Sequence, residues 1–513
     1  MENVGNVRVR YAPSPTGPQH LGGIRTALFN YLFAKKNGGT FVFRSEDTDQ
    51  SRFVPGAEDY ITDSLRWAGI TVDEGLNVGG PYGPYRQSER KELYREYAMQ
   101  LITSGHAYYA FDTSEDLEAM RTRMTAQGNP SPAYDHITRQ YMQNSLALPK
   151  DEVEKRLAAG DPYVIRIMMP RNEEVKFNDI VRGWVVFNTN QLDDKVLFKS
   201  DGMPTYHLAN VVDDHLMHIT HVIRGEEWLP SAPTHVMLYR AFGWEDTMPQ
   251  FAHLPLVLKP EGNGKLSKRD GDRLGFPIYT LDWENPLTGE KISGLAERGF
   301  LPEAYTNFLA LLGWHPGGDT EVMDPDALLE AFSLERVGKS GARFDPEKAK
   351  WINQQHLKMK SDKELAALLE PVLTRMGITS DAEYVERVCG LMKERAVFVP
   401  DLYEQGKYFF SDTFDYDSKT IAKKWKKDRA NLFENLTERI NLLQVCKSAE
   451  LEQLVHAFME EHELKMGDVM PMLRIALTGT LQGPPVYDVM EVLGKEKSVT
   501  RLQNGWKVFN QMI

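Results

Sequence analysis

The stretch that decides the fold is RYAPSPTGPQHLGG, residues 10–23. A brief apolar strand pattern precedes it, and a second extended run, TFVFR, follows at residues 40–44. Between the two lies a helical pattern, with apolar residues at Ile24, Ala27, Leu28, Tyr31 and Leu32. The order strand, helix, strand predicts the opening of a βαβ unit.

His20, Gly22 and Gly23 fall at the N-terminus of the predicted helix. Backbone N–H groups converge at such a terminus and attract phosphate. Glycine lets a ligand approach the backbone closely, and an imidazole can donate a hydrogen bond to a phosphate oxygen. These residue types indicate a phosphate site, although an isolated HLGG is more often an ordinary helix start.

A cationic stretch lies far downstream, KLSKR at residues 265–269, with glycines on both sides. Lysine and arginine in a glycine-rich loop suit a mobile segment that closes on a polyphosphate. A lysine-rich loop alone is more often solvated surface. The two segments become specific as a pair in this order, with the proline-rich run before the first.

The pair resembles the two ATP-binding signatures of class I aminoacyl-tRNA synthetases. Further segments make the chain similar to glutamyl-tRNA synthetases of the bacterial type: RSEDTD (44–49), GPYGPYRQSER (80–90), YHLANVVDDH (206–215) and VIRGEEW (222–228). Strong matches span residues 7 to 355, and weaker ones continue to the end. The resemblance implies ATP-dependent activation of L-glutamate, with Mg²⁺ accompanying the ATP, and transfer to the 3′ end of tRNA(Glu).

The resemblance also implies the site residues. ATP would be bound by His20, Gly22, Gly23, Lys265, Ser267 and Lys268. Catalytic roles would fall to His20 at the phosphate, to Lys268 as the group that neutralises developing charge, and to Lys265 and Arg269 in loop closure. The glutamate pocket would consist of Arg10, Ser14, Glu46, Tyr206, Asn210 and Arg224.

Elementary chemistry agrees with this pocket. Glutamate carries two carboxylates and one ammonium, so its site needs more than one cation and at least one anion. Arg10 and Arg224 supply cations, and Glu46 supplies an anion. Tyr206 and Asn210 are four residues apart and would share one helix face. We expect Arg224 to hold the γ-carboxylate, although a lone arginine is more often in a surface ion pair and a lone tyrosine more often in the core.

The expected architecture is an α/β, doubly wound parallel-sheet (Rossmann-type) catalytic domain with an α+β insertion, followed by all-α C-terminal domains. The expected limits are 1–108 and 196–260 for the catalytic halves, 109–195 for an inserted tRNA acceptor-end domain, 261–359 for a lysine-loop and stem-contact domain, and 360–513 for a helical anticodon-binding region. Residues 335–345 are a candidate linker. Residues 270–300 contain extra sequence to which the pattern assigns no role.

Composition limits the cellular setting. A chain of 513 residues exceeds a single core, so several domains are expected. No apolar run reaches about 18 residues, which argues against a transmembrane helix, and the start MENVGN is not a signal peptide. Only Cys389 and Cys446 are present, so no disulfide framework can form and a reducing cytoplasm is expected.

The net charge of −13 argues against unspecific nucleic-acid binding but allows a tRNA partner. We expect a monomer.

Two features resemble metal sites, and we interpret both as structural. His215, His218 and His221 are spaced three apart, but a strand would not place all three on one face. Some family members hold zinc with cysteines in the segment that here reads HAYYAFD (106–112) and AYDH (133–136), which contains no cysteine. Structural zinc usually needs four nitrogen or sulfur ligands. The sequence therefore predicts a protein without structural zinc.

The C-terminal run LMKER, residues 391–395, resembles the family segment whose arginine reads the third anticodon base. Arg395 is the candidate reader, and the resemblance implies an enzyme that discriminates tRNA(Glu) from tRNA(Gln). Its alternative is an exposed helix arginine. The densest basic strip, residues 419–429, contains Trp425 and is either an RNA contact or a solvated helix face.

Several alternatives stay open. Within the family, the enzyme could be non-discriminating and also charge tRNA(Gln), whereas a glutamine-specific enzyme should lack Arg224. Outside it, a small-molecule nucleotidyltransferase shares the fold and both signatures but does not need the long helical region. An inactive RNA-binding paralogue is disfavoured by intact His20, Lys265 and Lys268.

Overall fold

The computed structural model describes residues 6–512. Residues 1–5, which carry most of the start on which the signal-peptide expectation rests, lie outside this range, as does residue 513. The chain divides into two compact units, one formed by residues up to 297 with Pro302–Pro346, the other by Arg298–Leu301 with the residues from Glu347 onward. Among the described residues, no helix is both long and apolar enough to cross a membrane.

The first unit combines short strands with helices. Its strands are β1 (Arg8–Tyr11), β2 (Thr40–Phe43), β3 (Glu74–Gly75), β4 (Ala107–Ala110), β5 (Val164–Ile167), β6 (Glu174–Asp179), β7 (Gly183–Asn188), β8 (Val196–Phe198), β9 (His221–Gly225), β10 (Gln250–Leu254), β11 (Val257–Leu258), β12 (Trp283–Glu284), β13 (Lys291–Ile292) and β14 (Ala342–Arg343). Its helices are α1 (Leu21–Lys36), α2 (Ala57–Trp67), α3 (Lys91–Thr103), α4 (Ser114–Ala126), α5 (Lys150–Ala159), α6 (Tyr206–Leu216), α7 (Ala232–Ala241), α8 (Lys268–Leu274), α9 (Pro302–Leu311) and α10 (Pro325–Ala331).

A seven-stranded sheet in the order β3-β2-β1-β9-β10-β6-β7 forms the centre of this unit. All its neighbouring pairs are parallel except β6 with β7. In β2, Phe41, Val42 and Phe43 are all buried, which is the continuous apolar pattern of a strand covered on both faces. The predicted βαβ opening is confirmed, since β1 and β2 pair in parallel across α1.

A separate antiparallel sheet contains β4, β5 and β8. The segment expected as an insertion, 109–195, therefore contributes to two sheets, because β6 and β7 belong to the large one. Buried and exposed residues alternate along β6, as in a half-buried strand. This alternation identifies a strand but does not specify which sheet edge it joins, so the sequence could not assign it.

The segment expected as a linker, residues 335–345, ends next to the boundary between the two units, which lies between Pro346 and Glu347, but it contains a strand of the first unit. Within it, β14 pairs in parallel with β11, and residues 259–264 connect β11 to the cationic stretch. The Nη1 of Arg343 also donates to the carbonyl oxygens of Lys259, Pro260 and Gly262. A two-residue strand is too short to show periodicity, so the sequence pattern alone favoured a connection here. The extra sequence forms a hairpin of β12 and β13.

The second unit is helical, as the all-α expectation requires. Its helices are α11 (Pro346–Met359), α12 (Asp362–Arg375), α13 (Ala382–Met392), α14 (Asp401–Glu404), α15 (Lys407–Phe410), α16 (Ser418–Lys424), α17 (Ala430–Leu442), α18 (Ser448–Glu461), α19 (Met466–Thr478), α20 (Val486–Leu493) and α21 (Lys495–Met512). Trp425 stacks on Trp506 with ring centroids 5.3 Å apart and is buried, so the tryptophan of the basic strip belongs to the core.

Candidate active site

A cleft of about 510 Å³ opens at the carboxyl ends of β1 and β9. These strands are parallel neighbours, and Arg10 and Arg224 each occupy the last position but one of their strand. The chain proceeds from β1 to β2 on one side, while β9 lies on the other, so this is the crevice where doubly wound sheets bind ligands. Ten of the predicted site residues line the cleft: Arg10, Ser14, His20, Gly22, Gly23, Glu46, Tyr206, Asn210, Arg224 and Lys265.

His20 is the N-cap of α1, and its Nδ1 accepts a hydrogen bond from the backbone N–H of Gly22 at 3.0 Å. Burial, with the nearby Lys265 charge, lowers the pKa of His20 to about 4, so the ring is neutral at pH 7. Its proton therefore lies on Nε2, where it can be donated to a ligand. A Cβ atom at Gly22 would lie 2.8 Å from Cε1 of His20, so a side chain there would displace the ring.

Glu46 is oriented by two donors to the same oxygen. Its Oε1 accepts from Nη2 of Arg44 at 2.9 Å and from Nδ2 of Asn210 at 3.0 Å. Arg44 is fully buried and also pairs with Asp214, which in turn accepts from Arg10. Within residues 6–512, Oε2 of Glu46 has no hydrogen-bond partner, so one carboxylate oxygen of the cleft is left for a cationic ligand.

Arg224 is buried, and all its hydrogen-bond partners are neutral. Nη1 donates to the Tyr206 hydroxyl at 2.7 Å, Nη2 to the Trp228 carbonyl at 3.3 Å and Nε to Nε2 of His253 at 3.1 Å. Nη1 also lies 3.5 Å from Nδ1 of His235. In the described part of the chain, no carboxylate forms an ion pair with this guanidinium. Because a buried charge without a partner is costly, the cleft favours an anionic ligand at Arg224.

The sequence did not identify several residues around Arg224. His235 is buried, and its Nε2 lies 3.2 Å from Nδ1 of His207. Burial lowers the pKa of His207 to about 4, and burial with the nearby Arg224 charge lowers the pKa of His235 well below its usual value. Asp179 contacts the ring of His253, with Oδ2 2.6 Å from Nδ1, although the two residues are 74 positions apart in the sequence. The only sequence feature that could have indicated these residues is that each is a single polar residue within an apolar strand or helix.

The cationic stretch is only partly in the cleft. Lys265 lines it and pairs with Glu227, Nζ to Oε1 at 2.7 Å. Ser267 caps α8 together with Asp270, and Lys268, the first residue of α8, forms an ion pair with Glu290 next to β13. That hydrogen bond raises the pKa of Lys268. Ser267, Lys268 and the exposed Arg269 do not line the cleft, so the structure does not bring these three to the other predicted residues.

The three spaced histidines lie in separate environments. His215 stacks on Trp244 at 3.7 Å, His218 packs edge-on against Tyr82, and His221 packs against Phe33. Over residues 6–512, no group of three or more histidine, cysteine or acidic side chains could hold a metal ion.

Arg395 lies in the turn after α13, and its side chain is exposed. Its backbone N–H donates to the carbonyl of Met392 at 3.0 Å. Across the described residues, its guanidinium forms no hydrogen bond or ion pair. The helix arginine expected as the alternative is therefore a turn residue whose donors are available.

The class of protein follows from this cleft on a parallel sheet together with the family that the sequence matches. Residues 6–351 match the family of class I tRNA synthetases (E and Q), catalytic domain, and residues 364–506 match an anticodon binding domain. The chain belongs to this class I synthetase family.

Three proteins similar to this chain carry glutamate in their names. The chain is 54% identical over 502 residues to "Glutamate--tRNA ligase" of Amoebophilus asiaticus, covering 98% of both chains, and 53% identical to that of Porphyromonas gingivalis, covering 98% of this chain and 99% of the other. A solved glutamate tRNA ligase of Elizabethkingia meningosepticum, described as a complex with its amino acid, is 49% identical with a TM-score of 0.94, over 98% of this chain and 100% of the other.

Proposed function

We propose that the protein uses ATP to activate L-glutamate and transfers the glutamyl group to the 3′ end of tRNA(Glu). The guanidinium of Arg224 carries this proposal, because it is buried at the ligand crevice and no carboxylate among residues 6–512 pairs with it. A substrate γ-carboxylate would supply the missing charge, whereas the neutral amide of glutamine would not. The second oxygen of Glu46, Oε2, for which residues 6–512 provide no donor, would accept hydrogen bonds from the ammonium group of the substrate.

In the first step, an oxygen of the α-carboxylate forms a bond to the α-phosphorus of ATP, the bond from that phosphorus to the bridging oxygen breaks, and pyrophosphate leaves. The nucleophile is already an anion, so no general base is needed. Catalysis then consists of positioning and charge stabilisation. His20 donates from Nε2 to a phosphate oxygen, and Gly22 leaves room beside its ring.

Lys268 reaches the phosphates only if its loop moves, because it is paired with Glu290 outside the cleft. Closure would exchange Glu290 for a phosphate, with Lys265 and Arg269 supporting the closed loop and Ser267 contributing to ATP binding. Mg²⁺ would be bound through the ATP phosphates, as hard cations usually are. The absence of structural zinc and a cytoplasmic monomer stay predictions.

In the second step, the terminal ribose oxygen of tRNA forms a bond to the activated carbonyl carbon, the bond from that carbon to the AMP phosphate oxygen breaks, and AMP leaves while the hydroxyl proton is released to water. Residues 109–195 are proposed to receive the acceptor end, residues 261–359 to contact the stem, and residues 360–513 to bind the anticodon. The exposed donors of Arg395 support a discriminating enzyme. The second candidate, a non-discriminating enzyme, differs only in that tRNA(Gln) is also charged.

The proposal is tested by aminoacylation of purified tRNA(Glu) and tRNA(Gln), each with radiolabelled glutamate and with glutamine. We expect charging of tRNA(Glu) with glutamate alone. Equal charging of tRNA(Gln) with glutamate would establish the second candidate. Charging with glutamine in preference to glutamate would contradict the role of Arg224.

A further inference from the structure

Arg224 is connected to a buried carboxylate through one imidazole. Its Nε donates to Nε2 of His253 at 3.1 Å, and Nδ1 of His253 lies 2.6 Å from Oδ2 of Asp179. The side chains of His253 and Asp179 are fully buried. Neither residue lines the cleft, so this chain of contacts acts on a ligand only through Arg224.

The contacts fix where the imidazole proton lies. An arginine N–H can only donate, so Nε2 of His253 must present a lone pair, and the proton of the neutral ring lies on Nδ1, facing Asp179. Burial lowers the pKa of His253, which keeps the ring neutral. Asp179 is held in turn, since its Oδ1 accepts the backbone N–H groups of Val181 at 3.0 Å and Arg182 at 2.8 Å.

We propose that His253, oriented by Asp179, is a positioning residue that fixes Arg224 for the γ-carboxylate and thereby sets the preference for glutamate over glutamine. This inference rests on the proposed function. The imidazole gives Arg224 a rigid acceptor without placing a carboxylate against it. A directly bound carboxylate would hold the guanidinium equally well but would neutralise it, and the substrate would lose its advantage over the amide.

Two substitutions of the same residue separate positioning from packing. In His253→Gln, the amide oxygen can occupy the place of Nε2 and still accept from Arg224. In His253→Asn, the shorter amide can replace only Nδ1, so Arg224 loses its acceptor. We expect the KM for glutamate to rise at least about tenfold in His253→Asn, with little change in kcat or in the KM for ATP. In His253→Gln it should stay within a few-fold of the unsubstituted protein.

Asp179→Asn tests the other end of the chain of contacts. The backbone N–H groups of Val181 and Arg182 would hold the amide oxygen of the new asparagine in the place of Oδ1. Its NH₂ group would then donate to Nδ1 of His253, and the imidazole proton would have to lie on Nε2. Two donors would then oppose each other at Arg224. We expect the same rise in KM for glutamate as in His253→Asn, and a matching fall in the ratio of glutamate to glutamine in tRNA charging.

The measurements are glutamate and ATP kinetics, charging with glutamine, and melting temperature for the full-length protein and its three variants. Equal effects of His253→Asn and His253→Gln, or an unchanged glutamate-to-glutamine ratio in Asp179→Asn, would overturn the inference while the proposed function stood. If the unsubstituted protein charged no tRNA with glutamate, the proposed function would fail and the inference with it. A KM effect that followed melting temperature across the variants would also overturn it.

Discussion

The hydroxyl of Tyr206 accepts a hydrogen bond from Nη1 of Arg224 at 2.7 Å. The phenol proton is thereby directed away from the guanidinium and can be donated to a ligand oxygen. One residue from α6 and one from β9 therefore present donors together, a cation and a neutral hydroxyl. Such a pair matches a carboxylate better than an amide, whose NH₂ group would face donors.

Removing Arg224 should weaken substrate selection. In Arg224→Ala, the γ-carboxylate loses its charge-assisted partner, and we expect kcat/KM for glutamate to fall by about 2–4 kcal/mol of transition-state stabilisation. Discrimination against glutamine should narrow. The measurement is steady-state aminoacylation with both amino acids, and Arg240→Ala, a variant of a surface arginine on α7 outside the cleft, serves as the control. Wild-type preference for glutamate in Arg224→Ala would refute the assignment.

Lys268 should affect the rate of adenylate formation more than glutamate binding. We expect Lys268→Ala to lower kcat for this step at least about 100-fold, because charge stabilisation at the phosphates is lost. Lys291→Ala, at an exposed lysine of β13 next to Glu290, is the control and should leave the rate unchanged. Single-turnover measurement of adenylate distinguishes the two effects, and an equal loss of glutamate affinity would contradict the role.

Glu290→Gln tests whether Lys268 acts from its pair with Glu290 or only after it moves to the phosphates. The variant removes the ion pair that holds Lys268 outside the cleft, an exposed pair of the kind that contributes at most about 1 kcal/mol. We therefore expect the KM for ATP to be unchanged or slightly lower and kcat to be retained. A loss of rate as large as in Lys268→Ala would mean that the pair itself belongs to the active arrangement.

The sequence predicted the residues that line the cleft better than the residues that hold them in position. Arg10 and Arg224 could be placed together because parallel strands bring their carboxyl ends to one sheet edge. The contact of His253 with Asp179 depends on the pairing of β10 with β6, which no local pattern encodes. The position of Lys268 depends on Glu290, which belongs to a hairpin whose sequence has no counterpart in the expected pattern. Non-local register, rather than residue chemistry, set this limit.

Acid should destabilise the first unit through His207, a half-buried histidine whose pKa is lowered in the folded protein. Burial lowers the pKa of His207 to about 4, below the 6.5 of an unfolded chain, so the unfolded state binds more protons between these values. The contribution of the neutral His207 to the free energy of unfolding is therefore complete above pH 6.5 and is lost as the pH falls toward 4. Near pH 5 this histidine alone should cost on the order of 1–2 kcal/mol. We expect the melting temperature to fall less between pH 7.5 and pH 5 in His207→Gln than in the unsubstituted protein, and an identical fall would contradict the argument.

Arg395 should separate the two tRNAs. Phosphate contacts position RNA, but contacts to base edges give sequence specificity. The guanidinium of Arg395 is exposed and has no partner within the described part of the chain, so it can supply donors to a base. Losing such a contact should cost about 1–3 kcal/mol of discrimination. Arg395→Gln should therefore raise the charging of tRNA(Gln) relative to tRNA(Glu), while steps that do not involve tRNA stay unchanged. Arg375→Gln, at an exposed arginine of α12 in the same unit, controls for a general loss of positive charge. Side-by-side charging of both tRNAs measures the ratio, and the same ratio in both variants would show that Arg395 does not read the anticodon.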